Sequence, residues 1–154
     1  MSDKLTIHAT LIEICGCGVL IEGNSNSGKS DLALRLIDRL QANLVADDVV
    51  VISKKNNQLY GQAPENLKGL LEVRFVGIIE IPYKKEHKID MIVQLSDDIN
   101  ALERMPKICS KNILGLEIVQ IALYAKENSA PEKVLTALKL LVLKTVKFKE
   151  KSYA

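Results

Sequence analysis

Eight consecutive residues, Gly23-Asn24-Ser25-Asn26-Ser27-Gly28-Lys29-Ser30, have the types and spacing needed to hold a polyphosphate. They satisfy G-x-x-x-x-G-K-[ST] at every fixed position. The glycines let the backbone wrap closely, so that successive amides, from Asn24 through Ser27, point at phosphate oxygens. Lys29 supplies a fixed cation for the outer phosphates, and Ser30 offers a hydroxyl to magnesium. A helix starting here adds the partial positive charge of its N-terminus. A structural Gly-rich turn is the alternative, but a predicted strand precedes the motif and a predicted helix follows it, which is the P-loop context. The expected ligands are a nucleoside triphosphate and Mg2+.

Other candidate groups are weaker when taken singly. Asp47 and Asp48 interrupt an apolar run. On a strand they point to opposite faces, so one is directed inward or into a cleft and needs a compensating cation. Magnesium at Ser30 is such a cation, and a strand end emerging into solvent is the plain alternative. Glu72 and Arg74 lie two apart on one strand face and read alone as a surface ion pair. His8 reads alone as a structural histidine, and Arg104, in Leu102-Glu103-Arg104-Met105-Pro106, is unremarkable. No Asp has Gly three residues later, and His87-Lys88-Ile89-Asp90 departs from N-K-x-D at its first position. The tetrapeptide reads as a hairpin turn, and both observations argue against a guanine-specific class.

The elements that must position these groups follow from periodicity. Strands are expected over 6–14 and 18–22, with Gly16 in the turn between them. Leu32, Ala33, Leu36, Ile37 and Leu40 recur at helical spacing directly after the P-loop. Further strands are expected over 44–52, 76–81, 89–95 and 117–123, with a short return strand at 59–61. A polar turn covers 53–58 and a hinge covers 82–88. Ser129 and Glu132 have capping-box spacing and open an apolar helix reaching about residue 148. Strands outnumber helices, so the 154 residues form one mixed α/β domain.

Composition narrows the class. Aromatic residues make up 4% of the chain and Trp is absent, so the core must be aliphatic. A formal charge of +2 is too small to argue for nucleic acid, and Lys144, Lys147, Lys149 and Lys151 read as a solvated tail. Cys15, Cys17 and Cys109 lack zinc spacing and read as buried free thiols of a reducing compartment. The first residues lack a signal-peptide core, and no apolar run is long enough to span a membrane. A cytoplasmic protein is expected.

In order, these pieces resemble the catalytic domain of HPr kinase/phosphorylase. That family runs His-Gly/Ala-x-L, G-x-S-G-x-G-K-S, V-A-D-D and L-x-E-[IV]-R-G-[IL]-G-I-I. Here the corresponding text is His8-Ala9-Thr10-Leu11, Gly23 to Ser30, Val45-Ala46-Asp47-Asp48 and Leu71 to Ile79. Ile113-Leu114-Gly115-Leu116-Glu117-Ile118 resembles the family's I-L-G-V-E-[VI] strand. The resemblance runs from residue 6 to residue 123 with consistent order and spacing.

The resemblance implies a phosphoenolpyruvate-carboxykinase-like P-loop kinase fold, with mixed β-sheets and few helices, and a hexamer in the long forms. It implies that His8 lies beside the transferred phosphate and that Lys29 and the loop amides hold the nucleotide. Ser30, Glu72 and Asp48 are assigned to magnesium. Asp47 is expected to accept the proton of a substrate serine, and Arg104 to stabilise charge on the transferring group. The expected activity is ATP-dependent serine phosphorylation of an HPr-like phosphocarrier protein in a phosphotransferase relay. A small-molecule P-loop kinase or ATPase, and a nucleotide- or phosphate-sensing module, are the alternatives.

Three departures bear on this expectation. The chain begins almost at the catalytic strand, like the short forms. Phe75 stands where the family's R-G signature has Gly. The family's P-V-R-P-G-R loop reads Tyr124-Ala125-Lys126-Glu127-Asn128-Ser129, so one lysine beside a glutamate replaces two arginines, and phosphorylase activity is expected to be weak. Val134, Leu135, Leu138, Leu141 and Val142 line one side of the last helix, and Ala137, Leu140 and Leu143 widen its apolar surface, which predicts a homo-oligomer.

Overall fold

The computed structural model describes residues 3–149. In chain order the elements are β1 (Lys4–His8), β2 (Thr10–Ile14), β3 (Cys17–Glu22), α1 (Lys29–Leu40), β4 (Asn43–Ala46), β5 (Val49–Lys55) and β6 (Gln58–Gln62). They continue with β7 (Leu70–Val73), β8 (Gly77–Glu80), β9 (His87–Lys88), β10 (Met91–Leu95), β11 (Cys109–Ile113), β12 (Leu116–Leu123) and α2 (Ala130–Leu141).

A six-stranded sheet runs β11-β12-β10-β3-β2-β4, and a four-stranded sheet runs β1-β5-β6-β9. β3, β10 and β12 are parallel, and the remaining pairs of both sheets are antiparallel. β7 and β8 form a separate hairpin.

Strand pleating explains the layers. Leu11, Leu20 and Ile92 point into the space between the two sheets, where they meet Val50, Ile52 and Leu59. Their neighbours Ile12, Ile21 and Val93 point the other way, against Leu32 and Leu36 of α1 and Val134 and Leu138 of α2. The central strands are therefore covered on both faces, which is why they read as unbroken apolar runs. The largest fully buried side chains are all Leu or Ile, as the composition demands.

Two expected strands divide, and both breaks serve the site. The run over 6–14 splits at Ala9 and the run over 44–52 splits at Asp47-Asp48. β2 pairs with β4 in one sheet, while β1 pairs with β5 in the other. The crossing is held by the Ala9 N–H, which donates to the Asp48 carbonyl at 3.2 Å. A ribbon of two strands thus passes between sheets with the acidic pair at its bend.

Other expectations are corrected more locally. α2 ends at Leu141, not near residue 148, because the chain reverses with Lys144 at φ 58° and the Thr145 N–H returns to the Lys139 carbonyl. Ser129 makes no side-chain capping bond. The turn expected over 53–58 contracts to Asn56-Asn57, both at positive φ. His87 and Lys88 are strand residues paired with β6, not a hairpin turn, and β11 was not foreseen. Of the three free thiols only Cys17 is buried. Lys144, Lys147 and Lys149 are exposed, and Lys151 lies outside the described residues. Among the described residues no helix is long and apolar enough to cross a membrane.

Candidate phosphate-binding site

The P-loop joins the end of β3 to the start of α1. Gly28, at φ 99°, is the N-cap, and Lys29 and Ser30 open the helix. A Cβ at Gly23 would stand 2.5 Å from the Ser27 hydroxyl, so the first glycine is required by packing. The Lys29 ammonium donates to the carbonyls of Gly23 at 2.9 Å and Asn24 at 3.1 Å, bridging the mouth of the loop.

The acidic pair divides its labour. Asp47 is 4% exposed, and one carboxylate oxygen accepts from Thr10 Oγ1 at 2.8 Å and from Ser30 Oγ at 2.7 Å. Its other oxygen accepts the Glu72 N–H at 3.2 Å. Asp48 sits in a three-residue turn closed by the Val49 N–H on the Asp47 carbonyl at 2.8 Å, with φ at 70°. Such a turn is rare and strained. It expels the Asp48 side chain from the core into a cleft of about 780 Å3. The expected opposite-facing strand pair is therefore a bend. Asp47, expected as the proton acceptor, is walled off behind Ser30, and Asp48 is the member presented to the cleft.

The cleft draws on segments far apart in the chain. His8 enters from the end of β1, Ser25, Asn26, Lys29 and Ser30 from the P-loop and α1, and Lys126 from the loop after β12. Glu72, Arg74 and Phe75 enter from β7–β8. The hairpin tip is anchored by the Arg74 guanidinium, which donates to Asn26 Oδ1. The Val76 N–H closes the turn on the Val73 carbonyl at 3.0 Å, and Phe75 takes φ 70°. That region suits glycine and is tolerable for asparagine or aspartate, but a bulky side chain there is an outlier. Asn26, Asp48 and Phe75, all non-glycine residues at positive φ, converge on this one cleft.

The loop after β12 is pinned by α1. Arg35 donates to the carbonyls of Ala125 and Glu127, and Arg39 donates to the Asn128 carbonyl at 2.8 Å. Lys126 is thereby aimed at the cleft. The Glu127 carboxylate turns away and pairs with Lys133 at 2.7 Å, so its charge does not oppose Lys126 as the sequence suggested. Arg104 lines a second, apolar cleft beside α2 and is not among the residues lining the P-loop cleft. Thr10, Arg35 and Arg39 were not singled out from the sequence. Thr10 alternates with His8 on the strand text, and the two arginines share the i, i+4 spacing of one helix face, which are the signals that could have found them.

Among the described residues no group of three or more Asp, Glu, His or Cys side chains is placed to hold a metal ion. The oxygen donors that line the cleft, Ser30, Asp48 and Glu72, are of the hard type that suits Mg2+ and not a thiolate-preferring metal.

The family model described as HPr Serine kinase C-terminal domain matches residues 1–149. The chain belongs to that family. It is 33% identical over 165 aligned positions to the HPr kinase/phosphorylase of Malacoplasma penetrans, covering 97% of this chain and 54% of that protein. It is 47% identical over 103 positions to the HPr kinase/phosphorylase of Brevibacillus brevis, covering 62% of this chain and 33% of that protein. The chain thus spans about one third to one half of these relatives' length. The solved structure of the Hpr(Ser) kinase/phosphatase from Coxiella burnetii superposes with a TM-score of 0.81 at 30% identity, covering 92% of each chain. The expected P-loop kinase fold of mixed sheets and few helices is the fold observed.

Proposed function

We propose that this HPr serine kinase C-terminal domain is an ATP-dependent kinase that phosphorylates a serine of an HPr-like phosphocarrier protein in the cytoplasm. The observation that carries the reading is the single cleft joining a complete P-loop to His8, Asp48 and Glu72. Phosphoryl transfer through a loose transition state needs positioning, cations and a weak base, and the cleft contains each.

The loop amides and Lys29 hold the triphosphate. Asp48 accepts the serine proton, because it is the member of the acidic pair that faces the cleft, while Asp47 accepts from the Ser30 hydroxyl and orients it from behind. His8, which lines the same cleft, is assigned to flank the transferred group. Mg2+, when bound, would neutralise charge on the outer phosphates, and Ser30 and Glu72 would hold it. Lys126 gives the late loop one cation, too few to favour attack by inorganic phosphate on a phosphoserine, so forward transfer dominates. The exposed Ile99, Met105, Ile108 and Phe148 around the second cleft support a homo-oligomer, a hexamer by the family resemblance.

Incubation with labelled ATP, Mg2+ and an HPr-type carrier, followed by mass spectrometry of the carrier, tests the proposal. One phosphoserine is expected. Hydrolysis of ATP with no label on the carrier counts against it.

A further inference from the structure

Nothing in the fold explains Phe75. Its ring is 99% exposed, so it adds nothing to either core cluster, and its φ of 70° is one that glycine adopts without strain. A large apolar side chain held in water on a strained backbone beside a binding cleft points to a ligand that covers it.

The position of the tip says which ligand. Lys29, bridging Gly23 and Asn24, marks the outer-phosphate end of the loop, and Arg74 fixes the hairpin tip to Asn26 beside it. The tip therefore overhangs the end of the site where the transferable phosphate lies and where an acceptor must arrive. The phosphates themselves are charged and offer a phenyl ring no apolar partner. The register pairs Glu72 with Ile78, so Ile78, 71% exposed, shares the strand face of a cleft residue. With Val76, 76% exposed, it continues the apolar strip outward from the rim.

We propose that Phe75 is a specificity-determining residue for the protein acceptor. Its ring receives an apolar side chain next to the target serine and so brings the hydroxyl to Asp48. This rests on the kinase reading above and adds the chemistry by which the acceptor is chosen.

The test uses the full chain with Phe75→Gly, Phe75→Leu and Phe75→Tyr, an HPr-type carrier, and calorimetry with Mg-ATP. Phe75→Gly is expected to raise the carrier KM by about tenfold or more, the scale of a central interface contact. Mg-ATP affinity is expected to stay within about twofold and Tm not to fall, because glycine relieves the left-handed strain. Leu and Tyr are expected to restore most of the carrier affinity. An unchanged carrier KM overturns the proposal. So does a loss of Mg-ATP affinity, or a change of oligomeric mass, in place of the KM effect. If the wild-type chain transfers no phosphate, the kinase reading fails by itself. Carrier binding to protein loaded with a non-hydrolysable ATP analogue is then compared between wild type and Phe75→Gly, and absent or equal binding overturns this inference too.

Discussion

The phosphate cleft and the apolar cleft have comparable volumes, about 780 and 960 Å3, and are built in opposite ways. The first is lined from β1, the P-loop, the β4–β5 bend, the β7–β8 tip and the loop after β12. Three of its residues hold positive φ without being glycine; long-range hydrogen bonds reach Asn26 from Arg74 and Asp48 from the Ala9 N–H, while a local bond closes the turn at Phe75. The second is lined by the segment around Met105, the outer part of β12 and the free side of α2, mostly with aliphatic atoms. Polar chemistry at the first cleft requires convergent, strained placement. The second requires only that water be excluded, which any well-shaped apolar cover achieves.

The sharpest break of this contrast lies within the acidic pair. Asp48→Asn is expected to lower transfer to the carrier by about 10²–10⁴-fold with ATP affinity retained, since an amide cannot accept the serine proton. Asp47→Asn is expected to act on the fold instead, because it disturbs a buried carboxylate that accepts from Thr10, Ser30 and the Glu72 amide. A loss of about 1–3 kcal/mol is expected, and at roughly 2–4 °C per kcal/mol for a chain of this size it is visible in a thermal melt. Kinetics and melting curves on both variants decide it. A stable, inactive Asp47→Asn beside an active Asp48→Asn would reverse the assignment.

Next in size, Lys29→Ala removes the cation at the loop mouth. Mg-ATP affinity is expected to fall by about 10–100-fold in calorimetry, the value of a charge-assisted contact. An unchanged affinity would deny the first cleft its phosphate role.

The second cleft is addressed by Ile108→Lys or Leu140→Glu, each of which sets a charge among apolar neighbours. Light scattering is expected to show particles moving toward the 17.1 kDa single chain, with Mg-ATP affinity unchanged. A wild-type chain that is already a monomer at micromolar concentration would show that the second cleft needs no partner.

The smallest effect is expected at a control outside both clefts. Burial pushes the Glu13 carboxyl up, but the Asn43 side chain, the Gly16 N–H and nearby Lys84 outweigh that and hold it below its ordinary value. A depressed folded value stabilises above the unfolded value and is lost as pH falls through the folded one. Glu13→Gln is therefore expected to cost no more than about 1 kcal/mol near neutral pH and nothing once the wild-type carboxyl is protonated. Melts at pH 7 and at a pH acid enough to protonate the wild-type carboxyl read the difference, with transfer activity expected to be unaltered.

Much of this protein is decided locally. The P-loop is legible because glycine freedom, a lysine and a hydroxyl at fixed offsets are properties of eight adjacent residues. α1 and the aliphatic core are legible for the same reason, since spacing and composition are carried by the chain itself. The strand breaks at Ala9 and Asp47-Asp48 were not, because the apolar run continues through both, and only the presence of a second sheet makes the ribbon cross there. From that crossing follow the burial of Asp47, the exposure of Asp48 and the meeting of His8 with the P-loop. The settings of Arg104 and Glu127 were not legible for the matching reason: a charge has no direction in sequence, and each takes its direction from packing around α2. Residue types determined what chemistry is available. Which of two adjacent carboxylates faces it was decided by long-range contacts that no local pattern encodes.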